Sequence, residues 1–354
     1  MGYNTESGYW IYCNNPESLP SDAFGDDNRG DHRLNRVIVP AGTHELFLSY
    51  LYNLADTSTF EAAKTPFTFG IQIYNRTSSP ITFKKEKYGM SKNQYPNVTW
   101  EDVPVESVKD YFTSTAQATV TIPAYGVHWC MQDYITSGSS LISGLMRFTV
   151  SGEATVSVYI YKDTITGNET VYPNRNADLV YSGWSGLGSR LNAKQVVLTA
   201  SDILSRTNRN RFFLTNYKYP CKINNYSKNS DFLPITLAAD NAVTINEIGN
   251  LGNWGAIYKI PIKFINDQNY SVTLQGYIKT DTSKTSLDYP IIYDGVSTIK
   301  CGLITNSSNS NGYKNSWNWL TLPVAAKSTV EFTYYYVLGT NSQAGKKHVF
   351  KVEY

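Results

Sequence analysis

This chain is poor in charge. Asp, Glu, Lys and Arg make up 17% of its 354 residues, against roughly 25% in ordinary soluble domains. The 31 basic and 29 acidic residues leave a net charge of +2. A nucleic-acid binder needs a concentrated basic face to neutralise phosphates. The densest basic groups, Lys84-Lys85-Glu86-Lys87 and the trio Arg206, Arg209 and Arg211, are too dispersed for that. Both read as solvated loops, and no nucleic-acid partner is expected.

Long apolar runs are also missing. No stretch approaches the roughly 18 residues of a membrane helix, so no membrane span is expected. The first residues, Met1-Gly2-Tyr3-Asn4-Thr5-Glu6, have neither the basic nor the apolar region of a secretory leader. Three explanations fit: a leader already removed, release by lysis as for spore-surface and virion proteins, or an internal life.

Cysteine is scarce, with Cys13, Cys130, Cys221 and Cys301 far apart and no C-x-x-C. That spacing excludes zinc ribbons and redox motifs. Two disulfides are possible, in three connectivities. Cys130 and Cys301 sit in apolar strand contexts, where a buried thiol is the plain expectation. Cys13 and Cys221 lie beside polar, Asn-rich segments and are the better candidates for a cross-link, within or between chains.

Catalytic patterns are weak. Gly183-Trp184-Ser185-Gly186-Leu187 has Leu187 where a nucleophile elbow needs its second Gly. Gly186-Leu187-Gly188 opens no βαβ unit. His32, His44, His128 and His348 show no metal-ligand spacing. No enzyme activity and no cofactor are expected. The acidic loop carrying Asp22, Asp26, Asp27 and Asp31 offers oxygens of the kind calcium accepts, without EF-hand spacing; a solvated acidic loop is the alternative. Arg29-Gly30-Asp31 within it spells an integrin-type tripeptide, too short to carry weight.

What is present is tyrosine, 28 residues against 4 Met. With Thr and Val it makes a strand-rich composition and a surface suited to contacts. The chain also echoes itself. Asn75-Arg76-Thr77-Ser78-Ser79-Pro80-Ile81-Thr82-Phe83 is matched by Asn266-Asp267-Gln268-Asn269-Tyr270-Ser271-Val272-Thr273-Leu274. Each copy follows an alternating strand. Thr121-Ile122-Pro123-Ala124 is echoed by Thr321-Leu322-Pro323-Val324. Pro lacks a donor and marks where a strand leaves its ladder.

Many short strands with turn signals between them give an all-β expectation: two tandem β-sandwich domains, jelly-roll or immunoglobulin-like, related by internal duplication. The expected boundaries are an N-terminal arm over residues 1–32, domain 1 over 33–163 with an insertion at 89–115, a linker over 164–192, and domain 2 over 193–354. Within the insertion, Val105, Val108 and Phe112 share a face at helical spacing and predict one short helix.

Aromatic exposure is the physical signal of contact. Tyr334, Tyr335 and Tyr336 are consecutive on a strand and cannot all face one core. Tyr9, Trp10 and Tyr12 lie in the polar arm. These six residues are the candidate interaction sites, the arm adding a strand to a neighbouring subunit. Trp317 and Trp319 read as core anchors on one face.

Trp10-Ile11-Tyr12-Cys13-Asn14-Asn15-Pro16-Glu17, Arg36 to Tyr52 and Phe69 to Phe83 resemble β-rich secreted proteins of Gram-positive spore-formers. Those proteins are associated with copper-amine-oxidase N-terminal-like stalk domains. Asn250-Leu251-Gly252-Asn253-Trp254-Gly255-Ala256, Trp317-Asn318-Trp319 and Leu338-Gly339-Thr340-Asn341-Ser342 look like the same group. The resemblance implies an extracellular, cell-surface or spore-surface setting, no copper chemistry and no assigned activity; the leader and the stalk are not in this sequence. The expected function is a non-enzymatic structural or interaction protein of a cell, spore or filament surface, assembling through β-edges and Tyr-rich faces, with a homo-oligomer as partner. The alternatives are a carbohydrate-binding surface protein, with a glycan as ligand, and a virion structural protein.

Overall fold

A computed structural model describes residues 4–5, 8–13, 18–19, 31–53, 67–92, 102–135, 139–161, 190–193, 195–206, 209–215, 255–280, 290–295, 299–301, 316–339 and 346–354. The chain divides into two compact units, Ser7–Gly188 and Ser189–Tyr354, the latter also taking Met1–Glu6. Its strands are β1 (Asn4–Thr5), β2 (Trp10–Cys13), β3 (Ser18–Leu19), β4 (Asp31–Val39), β5 (Gly42–Asn53), β6 (Phe67–Asn75), β7 (Ile81–Lys92), β8 (Val120–Ile122), β9 (Val127–Ile135), β10 (Ser139–Val150) and β11 (Ala154–Tyr161). Then come β12 (Arg190–Asn192), β13 (Val196–Thr199), β14 (Asn210–Thr215), β15 (Ile257–Ile265), β16 (Val272–Thr280), β17 (Pro290–Tyr293), β18 (Ile299–Cys301), β19 (Ser316–Val324), β20 (Thr329–Leu338) and β21 (Lys346–Glu353). The two helices are α1 (Asp102–Thr113) and α2 (Ala200–Leu204).

In the N-terminal unit one sheet runs β4-β11-β6-β9 and the other β2-β5-β10-β7-β8. The chain passes between sheets at nearly every connection, which is a jelly roll rather than an immunoglobulin arrangement. Strand alternation decides the interior. Leu46, Leu48, Tyr50 and Tyr52 of β5 meet Phe67, Phe69, Ile71 and Ile73 of β6 in one buried cluster. Tyr50 and Phe69 rings lie 5.7 Å apart across the two sheets. Each such side chain contributes about 1.5–3 kcal/mol by burial.

A second apolar layer lies on the outer face of β5, β10 and β7. The predicted helix is there as α1, but its buried face is Val103, Pro104, Ser107, Val108 and Tyr111, not Val105, Val108 and Phe112. The reason is a glycine. A Cβ on Gly89 would meet the Ser107 carbonyl oxygen at 1.8 Å and the Tyr111 nitrogen at 2.4 Å. The bare strand lets the helix backbone touch down at Ser107, and that contact sets the rotation. Tyr111 donates to Glu45 Oε1 at 2.5 Å, and Arg147 lies 3.4 Å from the same oxygen. This satisfies a carboxylate that is nearly buried.

The expected insertion therefore begins later than residue 89, since β7 runs on to Lys92. The expected linker also loses its end, because residues 190–192 form β12.

In the C-terminal unit one sheet runs β14-β21-β16-β19. The other runs β1-β12-β15-β20-β17-β18, with β13 also on β15. β12 and β13 both lie parallel to β15. Tyr258, Ile260, Ile262 and Phe264 alternate inward from β15 and face Tyr336, Tyr334, Phe332 and Val330 of β20. His348 is fully buried among them. It stacks on Phe213 at 4.7 Å and stands edge-on to Tyr336 at 4.7 Å. Its Nδ1 is 2.9 Å from the Tyr334 hydroxyl. Burial, with help from the charge of Lys346, drops its affinity for a proton well below that of an ordinary histidine.

One corner occurs in both units. Asn75, at the end of β6, is fully buried. Its Nδ2 donates to the carbonyls of Ser79 (2.8 Å), Ile122 (3.2 Å) and Pro123 (2.8 Å), while its Oδ1 accepts from Thr77 N at 2.8 Å. Asn266, at the end of β15, does the same with Tyr270 (2.9 Å), Val324 (3.1 Å), Ala325 (2.8 Å) and Gln268 N (3.1 Å). Each Asn ties the loop it opens to the loop after β8 or β19. The tied loop turns through a left-handed residue, Tyr125 (φ 55) or Lys327 (φ 54). The sequence echo at Asn75 and Asn266 is thus a structural one. The echo at the prolines is displaced by two residues: Pro123 corresponds to Ala325, and Pro323 lies within β19 facing Thr273.

Sheet edges are interrupted. Bulges place an extra residue at Leu34 in β4, Cys130 in β9 and Trp319 in β19, and β19 also carries Pro323. Each of these strands ends a sheet among the described strands. Bulges and proline blunt an edge against pairing with another chain.

Candidate functional site

The six expected interaction residues are mostly interior. Trp10 and Tyr12 are 3% exposed, and Tyr334 and Tyr336 are fully buried. The arm strand β2 adds in parallel to its own β5, so Tyr12 stacks on Phe47 at 5.5 Å. Expecting an outward-facing arm was an error of context: its polar neighbours in sequence are not its neighbours in space. Tyr9 is half-buried and docks on β5. Its N–H donates to His44 Nδ1 at 3.0 Å, its carbonyl accepts from Glu45 N at 2.9 Å, and Asn35 Nδ2 reaches the Tyr12 carbonyl at 3.2 Å. His44 Nδ1 is an acceptor here, so Nε2 carries the proton and donates to the Pro40 carbonyl at 2.9 Å. Burial lowers the proton affinity of His44, and the Pro40 bond opposes that. Tyr335 alone of its trio faces outward, half-buried beside Tyr293 at 5.6 Å. Trp319 enters the core through its bulge, 4.4 Å from Tyr334, while Trp317 is half-buried.

Cys13 and Cys130 are buried free thiols. Burial raises Cys13 far above its usual range and pushes Cys130 up to about 12. Cys13 is in the apolar core with Ile11 and Tyr50. Cys221 is outside the described residues, as are Asp22, Asp26 and Asp27. Asp31 starts β4 opposite Tyr161. Among the described residues no group of three or more His, Cys, Asp or Glu side chains could hold a metal ion. No helix among them is long and apolar enough to cross a membrane.

A polar constellation lies at the surface of the C-terminal unit, around α2. Thr199 caps this helix, its hydroxyl accepting from Asp202 N at 3.2 Å. Asp267, in the corner loop beside Asn266, accepts from Ser201 N at 2.9 Å and from the Ser201 hydroxyl. Asp202 accepts from Arg206 at 2.9 Å and from Arg211 at 2.7 Å. Burial raises the Asp202 carboxyl, but these two guanidinium groups more than reverse that, and it ionises below its ordinary range. Two members of the arginine trio are therefore internal clamps.

The third, Arg209, is different. It is exposed and has φ 49, a conformation that disfavours any residue with a Cβ. Its N–H is held by the Arg206 carbonyl at 2.9 Å. The guanidinium carbon stands 4.8 Å from the Tyr354 ring centroid, and Nη2 donates to the Tyr354 hydroxyl at 2.9 Å. Tyr354 is 72% and Tyr270 44% exposed, their rings 5.8 Å apart at 68°. The carbonyl of Tyr270 is one of the three held by Asn266, so the buried corner places the backbone that carries the outward ring. Sequence reasoning missed this group. Arg209 and Tyr354 are 145 residues apart, and neither belongs to a motif.

No protein-family model matches the chain, and no curated protein matches it. Solved structures give only distant likenesses. A crystal structure of tripeptidyl peptidase 2 aligns at 10% identity and a TM-score of 0.23, covering 95% of this chain. The chain spans 24% of that peptidase. The tandem CBM22-1-CBM22-2 domain of Paenibacillus barcinonensis Xyn10C aligns at 6% identity and TM-score 0.17, covering 99% of this chain and 85% of its own. The VP2 subviral particle of infectious bursal disease virus aligns at 9% and 0.14, covering 95% and 75%. Scores this low carry no argument.

Proposed function

We propose that this chain is a non-enzymatic structural protein that assembles with copies of itself at a cell, spore or filament surface. The observation that carries this reading is the filled interior of both sandwiches. Jelly rolls serve as capsid subunits, as lectins and, in cupins, as frames around an internal site. Here Tyr50, Phe67, Phe69, Phe83 and Phe148 occupy one interior, and Tyr258, Tyr334 and Tyr336 the other, all essentially unexposed. Among the described residues, two sandwiches packed in this way present faces and loop ends to their surroundings. The bulges in β4, β9 and β19 disfavour strand addition at those three edges, which favours assembly through faces and loop ends there.

Electron microscopy of the purified protein, with light scattering over a range of concentrations, tests it. Regular shells, sheets or filaments are the expected result. A monodisperse monomer at every concentration and salt would refute it. A second reading, a carbohydrate-binding surface protein, is favoured by the exposed Tyr270 and Tyr354 rings.

A further inference from the structure

We propose that Arg209, Tyr270 and Tyr354 form a binding platform for an acidic sugar residue of a glycan, a uronate held by its carboxylate. The inference rests on the second reading, not on assembly.

Three observations converge. Two of the most exposed large aromatic side chains of the C-terminal unit stand side by side, steeply inclined to one another. Such rings offer flat apolar faces to the C–H face of a pyranose. Over one of them lies a guanidinium that makes a single hydrogen bond among the described residues, to the Tyr354 hydroxyl. Its remaining donors form the planar fork that matches a carboxylate. The backbone that places it is left-handed at Arg209, a cost kept where the surrounding structure over-determines it.

Asn266 holds the Tyr270 carbonyl from inside, and Arg206 and Arg211 share Asp202. Arg209 is thereby the outward cation of the trio. One cation beside two rings suits one carboxylate per sugar, not the dense phosphates of a nucleic acid.

The test is titration of the whole chain with a short oligogalacturonate at low salt, read by tyrosine fluorescence and amide chemical shifts. The matching neutral oligogalactose and a Glu-rich peptide are run alongside. A saturable response to the uronate, absent with the neutral sugar, is expected. Arg209→Gln should weaken it at least about tenfold. Arg209→Lys keeps the charge but not the fork and should weaken it nearly as much. Tyr354→Ala should do likewise, and Arg76→Gln in the other unit should leave binding unchanged. No saturable response overturns the proposal, as does equal binding of the neutral sugar. Tighter binding of the Glu-rich peptide with the same Arg209 dependence also overturns it, in favour of an acidic protein partner. Light scattering on Arg209→Gln keeps this separate from assembly, whose failure would appear in the unmodified chain.

Discussion

The two corners, at Asn75 and Asn266, are built from the same hydrogen bonds on different sequences. Ser79 in one is Tyr270 in the other, and Tyr125 in one is Lys327 in the other. What the corner demands is backbone: three carbonyls converging on one amide, and one left-handed residue in the tied loop. The Asn side chain makes the shared bonds, and in the first corner alone the Thr77 hydroxyl adds its own to Asn75 Oδ1 at 2.8 Å. Everything pointing outward is free to differ, and it does. One corner displays a lone Tyr125, 56% exposed; the other displays Tyr270 beside Tyr354 and Arg209. The interiors differ as well. Each unit buries a histidine among rings, but His44 of the N-terminal unit lies beside Phe148 and Tyr9, whereas His348 is fully enclosed in a cage of Phe213, Tyr334 and Tyr336.

The sharpest way to break this comparison is inside the cage. Tyr334→Ala should cost the C-terminal unit about 3–5 kcal/mol, whereas Tyr335→Ala, one residue on but facing outward, should cost under about 1 kcal/mol. Chemical unfolding followed by hydrogen exchange assigns the loss to a unit. Equal costs would mean that the strand does not alternate as described.

The corners come next. Asn75→Ala and Asn266→Ala should each destabilise their own unit by about 2–4 kcal/mol, three carbonyls and one N–H losing a partner in each case. If one replacement is silent, the two corners are alike in geometry but not in energetic role.

Acid should separate the units further. His348 and His44 both bind a proton less readily when folded than an ordinary histidine. Above about pH 6.5 both forms of the chain hold them neutral. Below it the unfolded chain takes up the proton first, so stability falls as pH drops. Each buried ring should cost about 1.4 kcal/mol per pH unit until it titrates in place. The effect should be larger for His348, whose shift is the deeper. His348→Gln should flatten the pH dependence of the C-terminal unit and leave that of the other unit intact.

The smallest test is chemical. Cys13 and Cys130, both in the N-terminal unit, should resist iodoacetamide at pH 8 in the folded protein and react once it is unfolded. Rapid labelling of either would contradict its place in the core.

Much of the fold was legible in advance. Alternation marked β6, β11 and β15, although only in β15 does burial follow it; β6 and β11 are buried on both faces. A short helix over residues 104–112 was expected and is there, though the spacing named the wrong face, and the Asn echo was visible because a fully buried side chain with several partners tolerates few alternatives. The arm was misread, since polar residues 14–17 say nothing about what β2 pairs with 35 residues away. The proline echo misled for a related reason: Pro123 marks a corner, whereas Pro323 sits on an edge strand where no donor is needed. Nothing along the chain joins Arg209 to Tyr354.

The sequence by itself determined that this chain is all-β, that it folds as two sandwiches, and that one corner recurs, since those follow from local period and from a residue with few substitutes. Only the tertiary structure decided which tyrosines face out, where α1 touches down, and which arginine is left at the surface. Those outcomes depend on long-range pairing, on a glycine that lets two backbones touch, and on which carboxylate each guanidinium reaches first.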